Sequence, residues 1–212
     1  MKGLIIKDLY ELIKQCRFVI LLCLIYMIIS IMGESSTFFL AFAIVFISML
    51  PITIMAYDEK SKWDSYAITM PYTRKEMVLS KYILSLIGIF SMSVLYLILR
   101  GGTFLIIDGN LSMLPEMITS MLPMILVAIL FSSINFPIIF KFGAEKGRLA
   151  MIILCALVGG IFGATAAGAE DSGDFFVRIF SSIPNIVYPI AAVVLLIISF
   201  LISVKVYEKR EL

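Results

Sequence analysis

Six apolar runs dominate this chain, each close to the length a helix needs to cross a bilayer. At 1.5 Å of rise per residue, about 20 helical residues cover the roughly 30 Å hydrocarbon core. The runs are Phe18–Met32, Phe38–Tyr57, Tyr82–Leu99, Met117–Ile139, Leu149–Ala169 and Ile186–Val204. What lies between them cannot clothe a water-soluble globule. Of 212 residues, 61% are hydrophobic and 15% charged, with mean hydropathy +1.07. The sequence therefore predicts an all-α integral membrane protein, a single transmembrane domain over residues 1–212. The first run is short and needs a turn borrowed from what precedes it. It follows Lys14 and Arg17 as a signal-peptide core would, but no small-x-small cleavage site comes after it.

Basic residues orient the spans. With the N-terminus in the cytoplasm, fifteen of the seventeen Lys and Arg fall in inside segments, and only Arg100 and Arg178 lie opposite. The outside loops hold Glu34, Asp108, Glu116, Glu170, Asp171 and Asp174. This asymmetry over short loops predicts six transmembrane helices with both N- and C-termini cytoplasmic. Net charge is only +2, so no nucleic-acid partner is expected. Histidine is absent, which excludes His-based catalysis and His-ligated metal sites. Cys16, Cys23 and Cys155 are widely spaced without a CxxC and read as small core residues.

Residues 1–17 precede the first run. Leu4, Ile5, Leu9, Leu12, Ile13 and Cys16 recur at three- and four-residue steps, with Lys7, Asp8, Glu11, Lys14 and Gln15 between them. That pattern fits an amphipathic helix along the inner membrane surface. It equally fits an extension of the first span, and the two differ in whether the chain turns near Gln15–Arg17.

The inside segment 58–81 joins spans two and three and holds the only tryptophan, Trp63. Pro71 discourages helix at Met70, while Thr73 and Glu76 have the T-x-x-E spacing of a capping box. A helix is thus expected to begin near Thr73 and continue through Lys81 and Tyr82 into span three. Upstream, Trp63, Tyr66 and Met70 share one face of a short helix. That aromatic face, flanked by Lys60, Lys62, Asp64, Arg74 and Lys75, suits a membrane interface or a protein partner equally.

This segment also carries a resemblance. Glu59 followed by Trp63, the turn Met70-Pro71-Tyr72-Thr73-Arg74 and then Ser80-Lys81-Tyr82 resembles the corresponding loop of bacterial ABC-2 type transporter permeases. The second inside loop, Phe136-Pro137 through Lys141-Phe142-Gly143-Ala144-Glu145-Lys146-Gly147-Arg148, is similar to a Pro…Lys-Phe-Gly-x-Glu-Lys-Gly-Arg segment of the same group. Met1-Lys2-Gly3-Leu4 through Lys7-Asp8-Leu9 resembles its N-terminal helix. The resemblance spans the whole chain, and the subgroup it suggests exports amphipathic, modulin-like antimicrobial peptides across the bacterial cell membrane.

The resemblance implies a cytosolic ABC ATPase partner carrying ATP and Mg, and a second permease subunit in a homodimer or heterodimer. This chain itself contains no GxxxxGK[ST] loop, so no catalytic, cofactor or metal residue is expected in it. Under the resemblance, the ATPase-coupling residues are Trp63, Tyr66, Met70, Pro71, Tyr72, Thr73, Arg74, Lys75, Glu76 and Lys81. Lys141, Glu145, Lys146 and Arg148 form the second cytoplasmic loop.

Within the spans, Gly159, Gly160, Gly163 and Ala164 offer small-xxx-small helix packing, and Pro51, Pro123 and Pro137 invite bends. Asn135 with Ser132 and Ser133 forms a polar cluster suited to helix–helix hydrogen bonds or to lining an inner cavity. Arg100 ends span three and can snorkel to the outer boundary. No carboxylate is expected at the membrane midplane, which argues against proton-coupled transport. Residues 170–185 form an outer loop, re-entrant or interfacial. Two other readings stand beside the exporter: a substrate-capturing subunit of a vitamin importer, which requires an outward polar pocket, and a non-transporting membrane partner or immunity protein.

Overall fold

The computed structural model describes residues 2–32, 36–67, 69–70, 72–107, 114–144, 147, 149, 152–153, 156, 184 and 187–209. Among these, every long element is an α-helix: α1 (Lys2–Gln15), α2 (Arg17–Met32), α3 (Ser36–Ser48), α4 (Leu50–Lys60), α5 (Trp63–Ala67), α6 (Arg74–Ile107), α7 (Leu114–Phe142) and α8 (Val187–Glu208). Four stretches are long and apolar enough to cross a membrane: Phe39–Lys60, Arg74–Thr103, Met117–Phe142 and Val187–Glu208. A fifth arises only if the bent pair α1–α2 is one span. The expected span Leu149–Ala169, with Gly159, Gly160, Gly163 and Ala164, lies outside the described residues but for isolated positions, as does the 170–185 loop.

The chain does turn between α1 and α2, by 76°. Backbone pairing survives the turn, because the Cys16 N–H bonds the Leu12 carbonyl at 2.9 Å and the Ile20 N–H bonds the Cys16 carbonyl at 3.0 Å. Cys16 itself is buried. The buried face of α1 is not quite the one its apolar spacing suggests. Leu4, Asp8 and Cys16 face inward, whereas Ile6, Tyr10 and Ile13 are exposed. Asp8 therefore sits on the core side, not among the solvated charges.

Span two is broken by proline chemistry. Pro51 has no N–H, so the Ile47 carbonyl loses its helical partner. It lies where Gly88 of α6 leaves room, 3.4 Å from the position a Cβ would take there. The Ile52 N–H turns to Met49 at 3.0 Å, and the Ser48 carbonyl so released accepts from Ser85 Oγ of α6 at 3.1 Å. Pro137 acts similarly in α7, which stays continuous through Pro123 and Pro137. The carbonyl it frees, that of Ser133, accepts from Ser199 Oγ of α8 at 2.6 Å.

Two apolar clusters fill the bundle. One joins α2, α3, α6, α7 and α8 through Met27, Ile44, Ile89, Met92, Met124 and Tyr188. The other lies toward α1 and joins Leu4, Ile52, Met77, Tyr82, Phe136, Phe140 and Tyr207. The pairs Ser133/Ser199 and Phe140/Tyr207 show α7 and α8 running parallel. Contacts of Tyr82 with Ser199 and of Arg74 with Glu208 show α6 running antiparallel to α8. Arg100 does not end its helix, since α6 continues to Ile107. Its guanidinium donates to the Ile31 carbonyl near the end of α2. Outward faces such as Ile190, Val193, Ile197 and Leu201 of α8 are apolar and exposed, as helices bathed in lipid require.

Candidate functional site

The bundle end that gathers α1, the α4–α6 connection and the last turns of α7 and α8 carries most of the polar structure. Lys62 adopts a left-handed backbone (φ 54°) that turns the chain out of α4. The one-and-a-half turns of α5 follow, with the Trp63 and Tyr66 rings 5.5 Å apart and inclined at 52°. Tyr66 is 57% exposed. Thr73 then caps α6 reciprocally. Its backbone N–H donates to Glu76 Oε2 at 2.9 Å, and the Glu76 N–H donates to Thr73 Oγ1 at 3.3 Å. Capping of this kind fixes the helix start. From it α6 runs 34 residues, about 50 Å, without a proline.

Behind this connection lies a buried charge cluster. Lys81 Nζ of α6 contacts Asp8 Oδ1 of α1 at 2.8 Å and Asp58 Oδ2 of α4 at 2.7 Å. Lys7 contacts Asp58, and pairs with Glu11 at 3.0 Å. Asp8 is 1% exposed, Asp58 3% and Lys81 8%. Ser80 Oγ donates to the Met77 carbonyl at 2.8 Å and touches Asp8 at 3.5 Å. Lys7 Nζ also sits 4.6 Å from the Trp63 ring centroid, within cation–π range. Burial pulls the Lys7 ammonium down, yet Asp58, Asp8 and Glu11 more than offset it and hold its pKa above the ordinary value. Asp8, Glu11 and Asp58 could converge on a cation, but the two ammonium groups already occupy that role. A crevice of about 30 Å³ opens beside the cluster, lined by Leu4, Asp58, Trp63, Lys81, Phe140 and Tyr207 among others.

Glu59 ties the end of α4 to the end of α7. Its Oε2 accepts the Ala144 N–H at 2.6 Å, just past the end of α7. There Gly143 takes a left-handed backbone (φ 85°), and its N–H closes onto the Ile139 carbonyl at 2.9 Å. A glycine is the natural residue for that helix stop.

A family model described as ABC-2 family transporter protein matches residues 3–208. The chain belongs to the ABC-2 transporter family. No curated protein and no solved structure matches it.

On this ABC-2 chain the residues expected to couple to an ATPase fall into two sets. Tyr66, Thr73 and Lys75 are exposed, and Trp63, Met70, Tyr72 and Glu76 are half-buried. Lys81 points into the protein, and the half-buried Arg74 turns onto the end of α8. The Arg74 guanidinium donates to the Glu208 carbonyl at 2.8 Å and the Tyr207 carbonyl at 3.3 Å, closing the end of α8 where a cation is favoured. Pro71, Glu145, Lys146 and Arg148 lie outside the described residues, and Lys141 is exposed, its ammonium 5.0 Å from the Phe142 ring. Asn135 is fully buried and donates to the Phe131 carbonyl at 2.8 Å. The sequence reading overlooked Asp8 and Asp58. The available signal was spacing: Asp8 stands four residues after Leu4 and Asp58 four after Ile54, each continuing a buried stripe.

Proposed function

We propose that this chain is the permease subunit of an ATP-binding cassette exporter in the bacterial cell membrane, driven by a separate cytosolic ATPase and working beside a second permease subunit. The carrying observation is the α5–α6 element. An exposed aromatic corner at Tyr66 leads through a capped start into a 34-residue helix that runs from the polar end of the bundle past Arg100. Force delivered to the capped start of α6 reaches its far end without crossing a proline. The cargo class proposed is an amphipathic or apolar peptide, in keeping with the apolar spans and the resemblance.

The six-span topology with both termini cytoplasmic is part of this reading. Its support is directional: α7 and α8 run parallel and end together, so the chain joining them has to return across the bundle. The basic residues of the first seventeen positions, the 58–81 segment and the last turns then share the cytoplasmic side.

The test is co-purification of the chain with an ABC ATPase, permease-dependent change in ATP hydrolysis, and export of amphipathic peptides from reconstituted vesicles. Tyr66→Ala with Lys75→Ala should leave the permease folded while weakening ATPase association. Truncating an interface anchor commonly costs about 2 kcal/mol, or roughly thirtyfold in affinity. Wild-type association in that variant would overturn the assignment of this corner as the docking surface.

A further inference from the structure

The exporter reading makes α6 the moving part and leaves α1 as a helix on the membrane surface. The charge cluster says more about α1. Asp8 and Lys7 come from α1, Asp58 from the end of α4 and Lys81 from the second turn of α6. Lys81 bridges both aspartates and Lys7 bridges Asp58 to the Trp63 ring of α5. Every element that meets at this end through the 58–81 segment is thereby held to α1 by charge. Apolar contact supplements this through Leu4, and the Tyr72 hydroxyl lies 3.1 Å from where a Gly3 Cβ would be.

We propose that Lys7, Asp8, Asp58 and Lys81 form a charge lock that makes α1 turn together with α5 and α6, so that α1 is a positioning element of the coupling unit. The inference rests on the coupling reading above. Its physical basis is that separating α1 from α6 would take buried Asp8 from Lys81 and leave it only the longer 3.4 Å contact to Lys7 of its own helix, a cost above that of moving the elements as one body. An exposed ion pair would not enforce this, because water would replace each partner. Burial makes the pairing obligatory.

The test removes one charge of each sign from the α1–α6 contact. Asp8→Asn with Lys81→Met keeps side-chain volume and net charge and leaves the Lys7–Asp58 and Lys7–Glu11 pairs in place. Neutral replacement of a buried ion pair is commonly tolerated by the fold. Trp63, the only tryptophan, reports whether α1 stays over α5, through acrylamide quenching of the permease alone in lipid vesicles. Quenching should be greater in the double variant. With the ATPase bound, the permease-dependent change in ATP hydrolysis should fall about threefold or more, the scale of mutations along a coupling path. Should the double variant not assemble, Lys81→Gln, which keeps a neutral donor toward both carboxylates, gives the same readouts. Unchanged quenching overturns the lock, and so does an unchanged hydrolysis response in a protein with increased quenching. Lost ATPase association also overturns it, since a lock acts after docking. If the wild-type chain fails to bind any ATPase, the exporter reading falls, and the quenching comparison alone decides whether the lock exists.

Discussion

Replacing Gly143 by alanine tests how the end of α4 is joined to the end of α7. Two penalties arise at once. The backbone at φ 85° is left-handed, which costs an alanine about 1 kcal/mol. The new methyl would also lie 2.6 Å from Glu59 Oε1, far inside van der Waals contact. Glu59 is a flexible side chain and can withdraw, but withdrawal breaks its 2.6 Å bond to the Ala144 N–H. A hydrogen bond to a charged group contributes about 1.5–3 kcal/mol, with the lower end apt for this exposed carboxylate. Gly143→Ala should therefore cost about 2–3 kcal/mol. Glu59→Ala alone should cost about 1.5 kcal/mol. In the double variant the clash is gone and only the backbone term is added, so the penalties fall short of additivity by about 1 kcal/mol or more. Unfolding of the detergent-solubilised protein, followed by thermal melting or denaturant titration, measures all four corners of the cycle. Strict additivity would refute the claim that Glu59 and Gly143 form one clasp.

Three other expectations concern the long helix. Tyr82→Phe removes the hydroxyl that bonds Ser199 at 2.6 Å and Ser203 at 2.8 Å but keeps its ring on Phe136; the unfolding free energy should drop by about 1–2 kcal/mol, since interhelical bonds in membranes average about 0.6 kcal/mol each. Thr73→Ala should cost about 1 kcal/mol by loss of the cap, and hydrogen exchange at Arg74 to Met77 should rise while the Tyr82 region keeps its protection. Arg74→Ala should loosen the last turn of α8, seen as faster exchange at residues 205–209, where a pure docking residue would leave α8 unchanged.

Local chemistry was legible in the sequence and tertiary pairing was not. Thr73 and Glu76 could be read as a cap because both partners lie within one turn. The amphipathic character of α1 was equally readable, and so was the place of a turn near Gln15–Arg17; whether the chain takes it was not, because nothing at Cys16 breaks a helix, and the structure shows a turn of 76°. Lys81 stands among the coupling residues only through the family resemblance, and its pairing with α1 and α4 could not be read there. Its partners lie 73 and 23 residues away, and separations of that size leave no periodic trace. The acceptors of Arg74 belong to the far end of the chain and left no more trace. The family match to residues 3–208 bears on the whole chain but specifies none of these contacts.

The prolines explain why one span is jointed and its neighbour is not. A proline in lipid leaves a carbonyl that water cannot reach, so each must find a donor or room from a neighbouring helix. Ser199 supplies the donor for the carbonyl that Pro137 frees. At Pro51 the freed Ile47 carbonyl lies against Gly88 and the Ser48 carbonyl is met by Ser85, both residues of α6. The joint between α3 and α4 is thus seated on the unbroken α6, one and two turns beyond Lys81. Asp58, at the lower end of α4, is held by that same lysine. A displacement of α6 would then carry α4 through the Lys81 pair while the Pro51 joint takes up the angle against α3. On the exporter reading, a long helix without proline beside a span interrupted at Met49 would let a push at one end change the tilt of its neighbour.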